Sequence, residues 1–342
     1  MFSSPASIQT VVAKPPRSSF FITLTVNEGG EAAVRSALTE FSGLARSVSF
    51  RSPEAELIIV TGIGSALWER MLSAPKPKGL HPFRELRGGK HTAPATAGDL
   101  FLHIRSERPD MCFEMSRIIL DFLGDNVEVV DEVHAFRYFD DRDLLGFVDG
   151  SENPEGYEAC DAALIGDEDP DYRGGSYMIV QKYIHDLPNW QALSVEEQER
   201  VIGRTKLDNL ELPDAVKPQN SHVALNDISD EDGNDLDILR FNQAFGDFST
   251  AQHGTYFIGY AKDPVVTEQM LENMFIGNPE GNHDRILDFS TALTGALFFT
   301  PSAELLDHID DLDGPRQTED TEEANDDDST RANLGIGSLR SV

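Results

Sequence analysis

DLFLHIRSERPDMCFEMSRIILDFLGDNVEVVDEVHAFRYF, residues 99–139, decides the fold. Its first nine residues alternate apolar and polar as a half-buried strand does. Met111 to Gly124 carries apolar side chains at helical spacing and stops at a glycine, and Val127 to Phe139 returns to strand-like composition. A helix between two strands must pack back onto the sheet they form. The same order stands upstream: FFITLTV (20–26) as a strand, EGGEAAVRSALTEFSGLARSV (28–48) as a helix, ELIIVTGIG (56–64) as a second strand, then SALWERML as a short helix. Two β-α-β units in succession are the split pattern of a ferredoxin-like sheet.

A similar order returns after residue 150. SYMIVQKYIHDL (176–187), DLDILR (235–240), GTYFIGYAKD (254–263) and ALFFTP (296–301) read as strands, with SVEEQERVIG (194–203) and PVVTEQMLENMFIG (264–277) as helices. The expectation is an α+β protein of tandem ferredoxin-like domains with antiparallel sheets. An N-terminal arm covers 1–18, the two domains 19–150 and 151–302, an acidic disordered linker 303–333, and a short apolar peptide 334–342.

Composition narrows the function classes. Hydrophobic residues make up 39% of the 342, and no apolar run approaches the length that spans a bilayer. Sixty acids against 28 bases, a net charge of −32, oppose nucleic-acid binding, which needs a basic footprint. The first residues, MFSSPASIQTVVAKPPRSS, lack the apolar core of a secretory signal. Cys112 and Cys160 form no metal knuckle or disulfide framework, so a cytoplasmic location is expected. There is no P-loop and no His-Glu-x-x-His helix. GIGSAL (62–67) puts Leu67 where a dinucleotide fingerprint needs glycine, and DISDEDGNDLDIL (227–239) puts Ile228 and Leu239 at calcium-ligand positions. Both read better as turns.

GFVDGSENP, 146–154, holds one acid, Asp149, between Gly146 and Gly150. Asp-Gly is a common turn pair, and a turn is the plain reading. A carboxylate held at a pocket mouth is the sharper one, and it needs partners. SHVALND (221–227) offers His222; ILRFNQAFG (238–246) offers Arg240 and Asn242 in an apolar strand-like run. Each alone reads as an ordinary turn histidine or an edge arginine that snorkels to solvent.

Together, GFVDG, SHV, RFN with AFG, GTYFIGYAKDP and RILDFSTALTGALFFTP, in this order over roughly residues 18 to 303, resemble the dye-decolorizing peroxidases, and within them the bacterial B-type group. The resemblance implies haem b, held mainly by the C-terminal domain, with His222 as the iron ligand and Asp288 accepting the other ring N–H. It implies that Asp149 shuttles the peroxide proton, that Arg240 stabilises charge on the leaving oxygen and keeps Asp149 ionised, and that Asn242 holds a relay water. Gly150, Ser151 and Glu152 are expected along the haem edge. The implied function is reduction of hydrogen peroxide through a ferryl intermediate, with oxidation of dyes, phenols or another organic electron donor, an acidic optimum, and self-assembly into a homo-oligomer. A haem-processing protein that removes iron, and a haem carrier without turnover, are the competing readings.

The end of the chain adds one more feature. After an acid-rich stretch almost without apolar residues comes NLGIGSLRSV, with Leu334, Ile336 and Leu339 spaced by glycines. An extended peptide of this kind drops side chains into pockets on a partner. It resembles the tail that loads such peroxidases into encapsulin nanocompartments, with the linker as a tether.

Overall fold

The computed structural model describes residues 9–313. Its strands are β1 (Ser18–Val26), β2 (Ile58–Gly64), β3 (Leu86–Arg87), β4 (Thr92–Ala93), β5 (Leu100–Ser106), β6 (Val127–Phe136), β7 (Ser176–His185), β8 (Leu239–Asp247), β9 (Gln252–Ala261), β10 (Ser290–Ala292) and β11 (Ala296–Thr300). The helices are α1 (Glu31–Ser49), α2 (Ser65–Met71), α3 (Pro109–Leu123), α4 (Gly156–Ala163), α5 (Leu187–Gln191), α6 (Val195–Ile202), α7 (His222–Asn226), α8 (Pro264–Phe275) and α9 (Ala303–Asp307).

Each half has the ferredoxin-like strand order. In the first, β2-β5-β1-β6 are neighbours; in the second, β8-β9-β7-β11 are, and every pairing is antiparallel. The two sheets also meet edge to edge. β11 pairs β2 through Phe298↔Gly64 and Phe299↔Ile63, and β6 pairs β8 through Phe136↔Ala244. With the β7–β9 pairing, the combined sheet closes on itself as a barrel, which leaves no long strand edge bare.

Period-two alternation assigns each side chain to one side of this barrel. Phe21, Phe101, His103 and Arg105 of the first half point inward and meet Phe241, Tyr256, Tyr260 and Phe298 of the second. Phe21 stacks on Tyr256 at 4.2 Å, Phe101 on Phe298 at 5.3 Å, and Arg105 sits over the Phe241 ring at 5.0 Å. Gly62 is required here, because a Cβ would lie 2.1 Å from the Met178 methyl and 2.8 Å from Phe298 Cβ. Outside the first half, Phe20, Ile22, Leu24, Leu102 and Ile104 pack against the apolar stripes of α1 and α3: Val34, Leu38, Phe41, Met115 and Ile119. Outside the second half, the crossover from β7 to β8 breaks into α5, α6 and α7, and only α8 is a full helix.

Three expectations need correction. The strand read as Val127 to Phe139 ends at Phe136: Asp140 and Asp141 have positive φ (58° and 53°), and the chain turns there. The strand read as 235–240 lies instead at Leu239–Asp247, since the polar 227–237 stretch forms a turn while FNQAFG pairs with β9. The acidic linker begins later than residue 303. Ser302 caps α9, and Leu306 and Ile309 are buried against the α1 side of the core, apolar contacts that an acid count overlooks. Leu334, Ile336 and Leu339 lie outside the described residues.

Candidate active site

On the outer face of the second half, the alternate residues of the strands are polar, not apolar. Gln181, Tyr183 and His185 of β7, Arg240 and Asn242 of β8, and Thr255 of β9 line a cavity of about 1150 Å³, measured with its open mouth. Its other walls are Val223 and Asn226 from α7, Met270, Leu271 and Met274 from α8, and the segment from Asp143 to Glu152. His222, Asp149, Gly150, Ser151, Glu152, Arg240 and Asn242 all border this space. Asp288 does not.

His222 opens α7, directly after Ser221, whose hydroxyl caps the helix at Ala224 N. Its Nδ1 lies 2.7 Å from Asp284 Oδ2, and Asp284 is fully buried. The other Asp284 oxygen accepts from Ile286 N at 2.9 Å, so the carboxylate is fixed from two sides. Asn226 donates to the His222 carbonyl at 2.7 Å. Nε2 has no hydrogen bond among the described residues. The acid expected beside His222 was Asp288; the structure puts Asp284 there. Both stand in HDRILDFS, and the turn Arg285–Asp288 rotates the second away. Asp288 receives Lys90, His91 (3.0 Å) and His283 (3.3 Å). Burial raises its carboxyl, but those three partners outweigh burial and hold it below the ordinary value.

Asp149 sits in a loop that two glycines make possible: φ is 93° at Gly146 and 70° at Gly150, both in the left-handed region. The loop is fastened to β8 by Asn153, whose Nδ2 donates to Arg240 O (2.7 Å) and whose Oδ1 accepts from Arg240 N (3.1 Å). This amide does what a neighbouring strand would do. Nothing in the sequence marks it, because the partner is a backbone 87 residues away. Asn242 Nδ2 donates to Asp149 Oδ1 at 2.9 Å. Glu152 pairs with Arg204 and stands 3.8 Å from Arg240, so it answers two guanidinium groups.

Arg240 favours the ionised form of Asp149, as expected, but it does not set the net direction. Desolvation pushes the Asp149 carboxyl up; Arg240 and the Asn242 bond only offset part of that. Asp143, which sequence reasoning missed, is raised to about 7, chiefly by burial, with the Asp149 charge adding to it. Its only sequence signal is an acid six residues before Asp149, which carries no burial information. His185, between Ser290 and Thr255 hydroxyls at 2.8 Å each, is lowered by burial to about 4 and stays neutral.

Does this lining suit an iron porphyrin? Two buried polar atoms, Asn242 Oδ1 and Gln181 Nε2, have no partner among the described residues, which is uncommon unless something else completes the site. A neutral imidazole with its Nδ1–H held by a carboxylate and its Nε2 open is a metal ligand in waiting. Phe147, Val148, Val223, Phe257 and Met274 supply apolar walls for a flat ring. The residues fit the group. Among the described residues, no helix is long and apolar enough to cross a membrane.

Comparison with known proteins points the same way. Residues 9–137 match the family model "Dyp-type peroxidase, N-terminal" and residues 140–305 match "Dyp-type peroxidase, C-terminal". The "Dye-decolorizing peroxidase" of Mycobacterium tuberculosis is 56% identical over 302 residues, 88% of this chain and 90% of the relative. That of Rhodococcus erythropolis is 52% identical, covering 98% of both. Among solved structures, DyPB from Rhodococcus jostii superposes with a TM-score of 0.86 at 54% identity, covering 89% of this chain and 99% of the other. The encapsulated DyP-type peroxidase from Mycobacterium smegmatis gives 0.87 at 56%, covering 88% and 98%. A variant of Rhodococcus jostii DypB solved in complex with heme gives 0.86 at 55%, covering 87% and 97%.

Proposed function

Because the chain belongs to the Dyp-type peroxidase family, we propose that it reduces hydrogen peroxide at a haem b seated in the cavity of its second half, and oxidises an organic electron donor. The observation that carries this reading is one cavity bordered by two unlike sets of groups: a carboxylate-held histidine with a free Nε2, and an acid, an arginine and an amide. Haem, when bound, would supply the peroxide-binding and redox chemistry.

The protein's residues do the rest. His222 Nε2 would hold the iron, while Asp284 at 2.7 Å would keep the proton on Nδ1 and make the ring a stronger donor. Asp149 would accept a proton from one peroxide oxygen and return it to the other, which leaves as water. Asn242 fixes the carboxylate that does this. Arg240 places a permanent positive charge where negative charge develops on the departing oxygen. Asp149 must be ionised to accept the proton, and burial raises its pKa. Turnover therefore falls as pH drops through that raised value, at higher pH than for an ordinary carboxylate.

The apolar tail has its own role in this reading. Leu334, Ile336 and Leu339 dock on an encapsulin shell protein, and several tails on a homo-oligomer gain avidity. The encapsulated relative from Mycobacterium smegmatis supports it.

His222→Ala tests the centre. The wild-type chain expressed with haem should carry a histidine-ligated Soret spectrum and react with peroxide in stopped flow; the variant should bind little haem and lose the reaction. An unchanged spectrum in the variant overturns the assignment. Iron-free porphyrin accumulating without peroxide would instead mark iron removal. Deleting residues 334–342 should leave turnover intact and abolish co-purification with a co-expressed shell protein.

A further inference from the structure

A second cluster of ligand-type side chains lies outside the cavity. His91 Nε2 and His283 Nε2 stand 3.0 and 3.3 Å from the same oxygen of Asp288, and the three ligand atoms all lie within 4.8 Å of one another. Lys90 reaches that oxygen too. Three side chains thus converge on one carboxylate oxygen, and Asp288's second oxygen is left out of all these contacts.

The spacing is that of a coordination shell. Around a tetrahedral zinc with bonds of about 2.0–2.1 Å, ligand atoms are separated by roughly 3.3 Å. The two imidazole–carboxylate distances, 3.0 and 3.3 Å, lie just below and at that value, and all three ligand atoms lie within 4.8 Å of one another. The rings are set 61° apart with centroids 4.9 Å from one another, so both nitrogens can address one point. Their side chains are only 18% and 25% exposed, so the ligands are held and not waving in solvent. His91 sits on the β3–β4 hairpin, where Gly88 N bonds His91 O (2.9 Å). That hairpin is pressed on the end of α8 so closely that a Gly88 Cβ would meet Phe275 O. His283 and Asp288 come from the segment whose centre, Asp284, is tied by its backbone N to Met274 O at 2.9 Å. Two rigid segments therefore present the ligands together.

We propose that His91, His283 and Asp288 bind one divalent ion of the zinc class, with water completing the shell. The ion bridges the β3–β4 hairpin to the 283–288 segment. Lys90, the most exposed member of the cluster at 59%, swings away as the ion enters, because its ammonium and the metal compete for one carboxylate oxygen. Binding needs both imidazoles neutral at Nε2, and this site stands independently of the haem reading.

The probe is zinc, titrated calorimetrically into the purified full-length chain, with zinc K-edge absorption on the product. The expected result is one tight site per chain whose spectrum contains two imidazole shells. Outer-shell partners alone cost about 10–100-fold in metal affinity, so loss of a direct ligand in His91→Gln or His283→Gln should cost at least that. Lys90→Ala should tighten binding. Zinc uptake through oxygen ligands alone, as an acid-rich surface would give, overturns the site. So does equal affinity in the wild type and both histidine variants, with Lys90→Ala unchanged. His222→Ala should bind zinc like the wild type; loss of binding there would move the ion to the cavity.

Discussion

The two halves of the barrel share one topology and use it in opposite ways. Outside the first, the strand residues facing the helices are Phe20, Ile22, Leu24, Leu102 and Ile104, and two long amphipathic helices cover them completely. Outside the second, the equivalent strand face carries Gln181, His185, Arg240, Asn242 and Thr255, and the cover is split into short helices. An apolar face closes on itself, because burial of each large side chain is worth about 1.5–3 kcal/mol. A face studded with groups that demand hydrogen bonds gains no such reward from closure, and it stays open around whatever satisfies them. The same scaffold thus becomes a brace on one side and a vessel on the other.

The contrast can be tested by truncation in each half. Phe41, fully buried on the inner face of α1, should cost about 3–5 kcal/mol of unfolding free energy as Phe41→Ala. Phe257→Ala, in a side chain that already borders the cavity, should cost clearly less in denaturant titrations. Equal losses would mean that the second half is packed as tightly as the first. Next comes the charge that the open half exists to place: Arg240→Leu should slow the stopped-flow reaction with peroxide by about 10²–10³, more than Asp149→Ala does. A larger loss for the acid would make proton transfer, not charge stabilisation, the main barrier. Asp284→Asn removes the charge and leaves one acceptor oxygen for the two N–H groups of His222 and Ile286, and should lower turnover by about 10–100-fold. The loss should exceed that of Asp288→Asn, and the reverse order would restore Asp288 as the partner.

The smallest effect concerns Asp143. Its carboxyl rises from 3.8 to about 7 on folding, so the folded chain holds a proton that the unfolded chain releases. The cost to stability is absent below the unfolded value, grows through the interval, and is complete above about 7. Asp143→Asn should therefore raise Tm at pH 8 and leave it unchanged near pH 3.5, a gain of order 1–2 kcal/mol once the carboxyl's contact with the cavity is discounted. A gain of the same size at both pH values would trace to packing.

The strand sets were legible from their apolar, β-favouring runs, although Phe20–Val26 and Leu100–Ser106 are buried on both faces, one toward the barrel interior and one toward the helices. The ordered motifs pointed to His222, Asp149, Arg240 and Asn242, residues of one cavity. What stayed hidden depends on three-dimensional closeness. Asp284 and Asp288 are equivalent as letters; only the turn between them decides which meets His222. Asn153 acts on a distant backbone, Asp143 owes its character to burial, and the joining of the two sheets rests on one or two residue pairs at each seam. The helix at 303–307 was masked by its acids, although its leucines carry the contact.

The Asn153 clamp has a bearing on how the protein ages. Asparagine side chains are lost in old proteins when the following backbone nitrogen attacks the amide carbon, and a clamp turned to aspartate could no longer donate to Arg240 O. Here the following residue is Pro154, whose nitrogen carries no hydrogen and is already fully substituted. The ring closure that starts this decay is blocked at that position. The fastening of the Asp149 loop is therefore protected by its own neighbour against a slow chemical clock that runs in many exposed loops.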